Sequence, residues 1–222
     1  VTEEPPSATP PTDEAPEPQL AVLSPLESGA LLLLALALLK GIEFAPLGGV
    51  AQLLTPTLIV LAWALPAWAL ISSRDRDPLE ELALVGKPLC LLSSLGPAIA
   101  GLGLFALGIG LILGWPEDVP ATSALASLMV FQLLAVALPE EIFFRGVVQG
   151  SLERRGPLIA IGGAALAFAL AHVLFEFSPR RFEVFVPGLV FGWLRWRCKS
   201  LWPSVVFHAL CNLVQALLLS GP

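Results

Sequence analysis

The chain has 222 residues, of which 56% are hydrophobic and only 14% charged, with a mean hydropathy of +0.82, against roughly 45–50% apolar residues in a soluble domain. This excludes a water-soluble fold for most of the chain and leaves no length for a sizeable soluble domain. The net charge of −6 is concentrated in Glu3, Glu4, Asp13, Glu14 and Glu17; the rest of the chain is nearly neutral, and no nucleic-acid partner is expected.

Residues 1–19 hold six prolines, five acids and no Lys or Arg, too little apolar surface to offset the entropy of ordering. A disordered acidic tail is expected there. The chain opens on Val1, and the first twenty residues have neither the basic nor the apolar stretch of a secretory signal, so none is expected.

Apolar segments follow at about 21–39, 53–72, 88–114, 121–139, 157–177, 183–194 and 201–219. A hydrocarbon core of about 30 Å takes about 20 apolar residues per helical crossing. The expected fold is therefore all-α: a polytopic transmembrane bundle of about seven helices in contact with lipid. It divides into N-terminal helices over 20–120 and a core over 121–222.

Arg74, Arg76, Lys87, Arg145, Arg154, Arg155, Arg195, Arg197 and Lys199 fall on one side of the bundle, and Lys40, Arg180 and Arg181 on the other. Nine against three places the amino terminus in the cytoplasm, because cytoplasmic connections carry the excess of Lys and Arg.

The glycines at 101, 103, 108, 110, 162 and 163 lack the Lys-Ser/Thr of a phosphate loop and read as helix-packing positions. Six tryptophans mostly flank or end apolar runs and read as interfacial anchors. Cys90, Cys198 and Cys211 are widely spaced without a CxxC pattern and read as small buried hydrophobes.

Three polar islands stand out, because an ionisable group in a spanning helix costs at least about 2.5–3.5 kcal/mol at the bilayer centre. The first is LPEEIFFRG with Glu140, Glu141 and Arg145. The others hold the two histidines of the chain, His172 in AFALAHVLF and His208 in SVVFHALCNLV. At 1.5 Å per residue, Glu140 and His172 lie about 21–22 Å from the cytoplasmic boundary and His208 about 13–14 Å, a mismatch that tilt or a shifted boundary must absorb. Glu141 and Arg145 share a helix face at i,i+4 and can neutralise each other, leaving Glu140 about 100° away and free. Phe168 with His172, and His208 with Asn212, repeat the i,i+4 spacing.

The order Glu140-Glu141-x-x-x-Arg145, Phe168-x-x-x-His172, His208-x-x-x-Asn212 resembles the three motifs of the CAAX-protease and bacteriocin-processing (CPBP) family of intramembrane endopeptidases, over about residues 121–215. The resemblance implies hydrolysis of a peptide bond in a membrane-anchored protein or peptide. Glu140 and His172 would activate a water, and His208 and Asn212 would hold the scissile carbonyl and its oxyanion. Glu141, Arg145 and Phe168 would support them. No cofactor is then required. The rival reading is zinc held by Glu140, His172 and His208 with Glu141 as base, although no HExxH is present.

Outside proteolysis, intramembrane Glu and His also mark ion pathways, so a transporter or proton relay is the main alternative; it predicts two related halves, and no internal repeat is visible. A silent scaffold or immunity-type partner of the same fold is the third. The compact, Tyr-free, Ala/Leu-rich chain suggests a bacterial inner membrane.

Overall fold

The computed structural model describes residues 23–44, 48–85, 89–113, 115 and 122–218. Among these there is no strand. Seven long helices follow one another: α1 (Pro25–Phe44), α2 (Gly48–Ser72), α3 (Leu89–Leu113), α4 (Thr122–Arg155), α5 (Pro157–Glu176), α6 (Phe185–Cys198) and α7 (Trp202–Leu218). A single helical turn, Pro78–Glu81, follows α2. The acidic tail over 1–19 lies outside the described residues. α1, α4 and α5 are long and apolar enough to cross a membrane, and Thr57–Ser72, Ser93–Gly108 and Trp202–Leu218 are shorter apolar helices. The chain is an all-α integral membrane bundle.

α4 carries the core. It runs as α-helix over Thr122–Phe131, widens to π-helix over Gln132–Ala137, returns to α over Leu138–Glu141 and widens again over Ile142–Gln149. Pro139 sits in the α stretch between the two π runs. Proline has no N–H to donate and its ring crowds the preceding turn, so a wider turn beside it is a physical way to keep the helix continuous. All eight residues Ile142–Gln149 are buried.

The turn from α4 to α5 needs Gly156, whose φ of 98° is open to glycine and strained for other residues. Pro157 then opens α5 at a first-turn position where its missing N–H costs nothing. The segment expected at 183–194 begins with a 3₁₀ stretch, Pro179–Val184, and continues as α6 to Cys198. The helix is thus shifted toward its basic end, where Arg195 and Arg197 complement the negative helix terminus.

α6 packs on α4 through two glycines one turn apart. A Cβ on Gly188 would come within 3.3 Å of Ala165 Cβ and 3.4 Å of Arg145 Nη2; one on Gly192 would come within 3.1 Å of Gln149 Oε1 and of Ile161 Cγ2. Those close approaches let Arg145 and Gln149 donate to the backbone carbonyls of Gly188 and Gly192, at 3.1 and 3.0 Å. The glycines singled out from sequence behave differently. Positions 101, 103, 108 and 162 would meet nothing within 4 Å, whereas Gly110 lies under Trp115 and Gly163 under Leu152. A glycine in an apolar run signals close packing only where a neighbouring helix arrives, and that is a tertiary fact.

Two further readings are corrected. Cys90 and Cys198 are joined by a disulfide, with Cα atoms 5.4 Å apart, leaving Cys211 as the free cysteine among the described residues. The start of α3 meets the end of α6 across 108 residues of sequence, a proximity no local spacing encodes. Trp63 is not an interfacial anchor: it is 5% exposed and packs its ring on Phe143 and Phe144, with centroids 5.0 and 5.1 Å away. Trp68, Trp115, Trp193, Trp196 and Trp202 are exposed.

Candidate active site

The three polar islands, distant in sequence, converge where α4, α5 and α7 face one another. Glu141 and Arg145 are fully buried and paired, with Arg145 Nη1 donating to Glu141 Oε1 at 3.0 Å. The guanidinium is further held by the Gly188 carbonyl and lies over the rings of Phe168 and Phe191, 4.6 and 4.9 Å from their centroids. A cation over two ring faces, bonded to a carboxylate and a carbonyl, is partly compensated for the loss of water.

His208 reaches the same carboxylate. Its Nδ1 lies 2.9 Å from Glu141 Oε1, and its Nε2 lies 3.7 Å from Glu140 Oε2. The depth mismatch expected from sequence therefore disappears: His208 stands at the level of the two glutamates. With Glu141 ionised against Arg145, Nδ1 is the donor, and Nε2 is the nitrogen left to face Glu140. The imidazole stacks on Phe191 with centroids 4.6 Å apart and planes inclined by 16°.

Glu140 is the partly exposed carboxylate of this network: its Oε2, like Glu141 Oε2 and Arg145 Nε, is buried without a hydrogen-bond partner, and its side chain is 14% exposed. Unpaired buried carboxylate oxygens are costly and cluster at functional sites.

His172 sits one turn beyond Phe168 on α5, with Nδ1 3.0 Å from the Phe168 carbonyl oxygen. A carbonyl only accepts, so Nδ1 carries the proton and the Nε2 lone pair is free to take another. Phe168 is the hub between the histidines, its ring making edge contacts with His172, His208 and Phe144 at 4.4, 5.6 and 5.1 Å.

A cavity of about 450 Å³ is lined by both histidines, Phe168, Phe191 and Asn212. Glu140 is not among its lining residues and meets it through His208. Asn212 lies on the same wall as His208, but its Nδ2 donates to Gln132 Oε1 at 2.9 Å. Gln132 is thus a site residue that the motifs do not contain. It is the lone Gln in the run SALASLMVFQLLAVALP, and the rule that singled out the histidines, a polar side chain inside a spanning helix, applies to it equally.

Among the described residues, no three His, Cys, Asp or Glu side chains come together as a metal-ligand group. Glu140, His172 and His208 do not fit a zinc set as they stand.

Fold and site together define a membrane-embedded helical protein with a buried glutamate–histidine centre beside a polar cavity. Residues 122–214 match the family model described as Type II CAAX prenyl endopeptidase Rce1-like, so this part of the chain is similar to the CAAX proteases. The match begins at the first residue of α4 and ends inside α7, so α1–α3 lie outside it. No curated protein and no solved structure matches the chain. The match supports a hydrolase of the protease type in a membrane environment.

Proposed function

We propose that the chain is an intramembrane endopeptidase of glutamic type, with residues 121–222 as its catalytic core, residues 20–120 as flanking helices, and its amino terminus in the cytoplasm of a bacterial inner membrane. Its substrate is a membrane-anchored protein or peptide. The observation that carries this reading is the convergence of both histidines of the chain on one cavity, beside a buried glutamate with an unpaired oxygen.

In this reading, Glu140 and His172 act on a water, removing its proton as the oxygen adds to the scissile carbonyl carbon. The Asn212 carboxamide faces the developing oxyanion as donor, and His208 joins it as the imidazolium, its Nδ1–H kept on Glu141 and its Nε2–H turned to the oxyanion. Collapse of that intermediate breaks the C–N bond, and the proton taken from water passes to the leaving amine. Asn212 needs a short rotation away from Gln132, or its second N–H, to serve. Glu141, itself paired with Arg145, holds the His208 ring in one orientation, and Phe168 contacts both imidazoles. Nothing in this sequence draws on a cofactor.

The test is cleavage of membrane-anchored reporter peptides by purified protein in lipid. Wild type is compared with Glu140→Gln and His172→Ala, with and without a strong chelator. Cleavage that survives the chelator and is lost in both variants supports the reading. Loss in chelator with recovery on added zinc would transfer the same residues to a metal mechanism. Solute or proton flux needing those residues, with no cleavage, would replace proteolysis by transport.

A further inference from the structure

Both polar side chains that α7 brings to the site are held by side chains of α4. His208 Nδ1 lies 2.9 Å from Glu141 Oε1, and Asn212 Nδ2 donates to Gln132 Oε1 at 2.9 Å. His208 and Asn212 are one turn apart and share a face of α7. Their holders are nine residues apart on α4. In a regular helix, nine steps of about 100° come to about 900°, half a turn beyond two full turns, so the two side chains would leave on opposite faces. They meet one and the same helix because the stretch between them is not regular. The π run begins at Gln132 itself and ends at Ala137. Its wider turns rotate the chain by less than an α-helical step at each residue, which swings Gln132 round toward the face of Glu141.

Gln132, His208 and Asn212 all border the cavity, together with Phe168 and His172. A carboxamide left to itself can present either its oxygen or its nitrogen to a cavity, and only the nitrogen carries protons for an anion. The bond to Gln132 removes that freedom. With Oε1 as the acceptor, Asn212 must bring its nitrogen to Gln132; one of the two Nδ2 protons is engaged there and the other is left over. Among the described residues Asn212 makes no other hydrogen bond. A donor set in place before charge develops needs no reorganisation when the charge appears, which is the source of an oxyanion site's effect.

We propose that Gln132 is a positioning residue for the hydrolysis. It fixes the Asn212 carboxamide beside His208 with the nitrogen forward, so that the second Nδ2–H meets the oxyanion as it forms and Asn212 serves without leaving Gln132. Gln132 acts through Asn212 and touches neither the attacking water nor the scissile bond. The proposal rests on the protease reading for the role of Asn212, and on the π run and the Gln132 bond for the role of Gln132.

The experiment is a double-mutant cycle on cleavage of a membrane-anchored reporter peptide by the full chain in lipid. Gln132→Met keeps the length of the side chain and removes the acceptor, and Asn212→Ala removes the donor. Values of kcat and KM are measured separately for both variants and their combination, with thermal unfolding alongside. Gln132→Met should lower kcat by up to about 10²-fold, the scale of a misplaced group, with KM little changed. Asn212→Ala should lower kcat by about 10²–10³-fold, the worth of one oxyanion donor. The double variant should be no slower than Asn212→Ala, because Gln132 then has nothing left to position. Losses that multiply, or a change confined to KM, overturn the inference, since Gln132 would then serve the fold or the substrate directly. If Gln132→Met fails to fold, the same cycle is run with Gln132→Leu and read by the same criteria. Cleavage by the wild type that Gln132→Met leaves undiminished discards the positioning role alone. Absence of cleavage by the wild type discards the protease reading and the role with it.

Discussion

α1 and α4 are both apolar helices of membrane length, and they are built for different surroundings. α1 buries Ser28, Leu31, Ala35 and Leu39, a single stripe at helical spacing, and leaves Leu26, Leu33, Leu34 and Leu38 exposed. α4 buries every residue from Ile142 to Gln149, including the charged Arg145 and the polar Gln149. α1 has lipid on most of its circumference and needs only a seam; the second half of α4 is wrapped by protein and must house its polar side chains there, whereas its first ten residues, Thr122–Phe131, bury none. The family match, which starts at α4 and omits α1, follows the same boundary. Hydropathy alone does not separate these two kinds of helix, since both are apolar; the difference lies in what the polar residues of each must do.

Substitutions can break that contrast. The largest effect expected is from Glu140→Gln, which removes the proposed base while leaving the Glu141–Arg145 pair intact. Reporter cleavage should fall by about 10²–10⁴-fold, the usual worth of a general base, while thermal unfolding in lipid stays close to wild type. Arg145→Ala should be the most damaging to folding. It strands the fully buried Glu141, and removing one partner of a buried pair costs about 3–5 kcal/mol. Arg145→Lys should fail to restore stability, because a single ammonium cannot reach Glu141 and the Gly188 carbonyl as the two guanidinium nitrogens do. Both are read from unfolding in lipid or mild detergent.

A smaller effect is expected at the α4–α6 seam. Gly192→Ala puts a methyl 3.1 Å from Gln149 Oε1, an overpacking that should cost about 1–3 kcal/mol. It should also weaken the Gln149 bond to the residue 192 carbonyl. The smallest is Leu33→Ala on the lipid face of α1, where a change within about 0.5 kcal/mol is expected. If that variant destabilised the protein as much as Gly192→Ala, α1 would belong to the core and the contrast would be wrong.

Much of this was legible before any coordinates. The seven apolar segments correspond to the seven long helices, and the three islands meet at one centre because each is a polar group that lipid will not tolerate alone. What was not legible depends on encounters between remote segments. Trp63 looks like an interfacial anchor until Phe143 and Phe144 are brought against it. Cys90 and Cys198 are ordinary apolar-segment cysteines until two helix ends meet. Gln132 could have been noticed, yet nothing local says that its partner is Asn212, eighty residues away. The π-helical widening of α4 around Pro139 is equally invisible to a period of 3.6, which assumes the regular helix that it interrupts.

The brevity of α6 bears on how a hydrolase in lipid obtains its water. With fourteen residues, it spans about 21 Å, well short of a hydrocarbon core of about 30 Å. The balance on that side is made up by the 3₁₀ stretch Pro179–Val184, whose backbone sits where regular helix would otherwise be and whose Arg181 and Val184 border the cavity. Non-helical backbone at such a depth persists only beside protein or a wet space. A bilayer meeting a wall this low thins locally to match it. Under the protease reading, such a thinned rim would give water, and a substrate anchored in the surrounding lipid, a short path to the histidines.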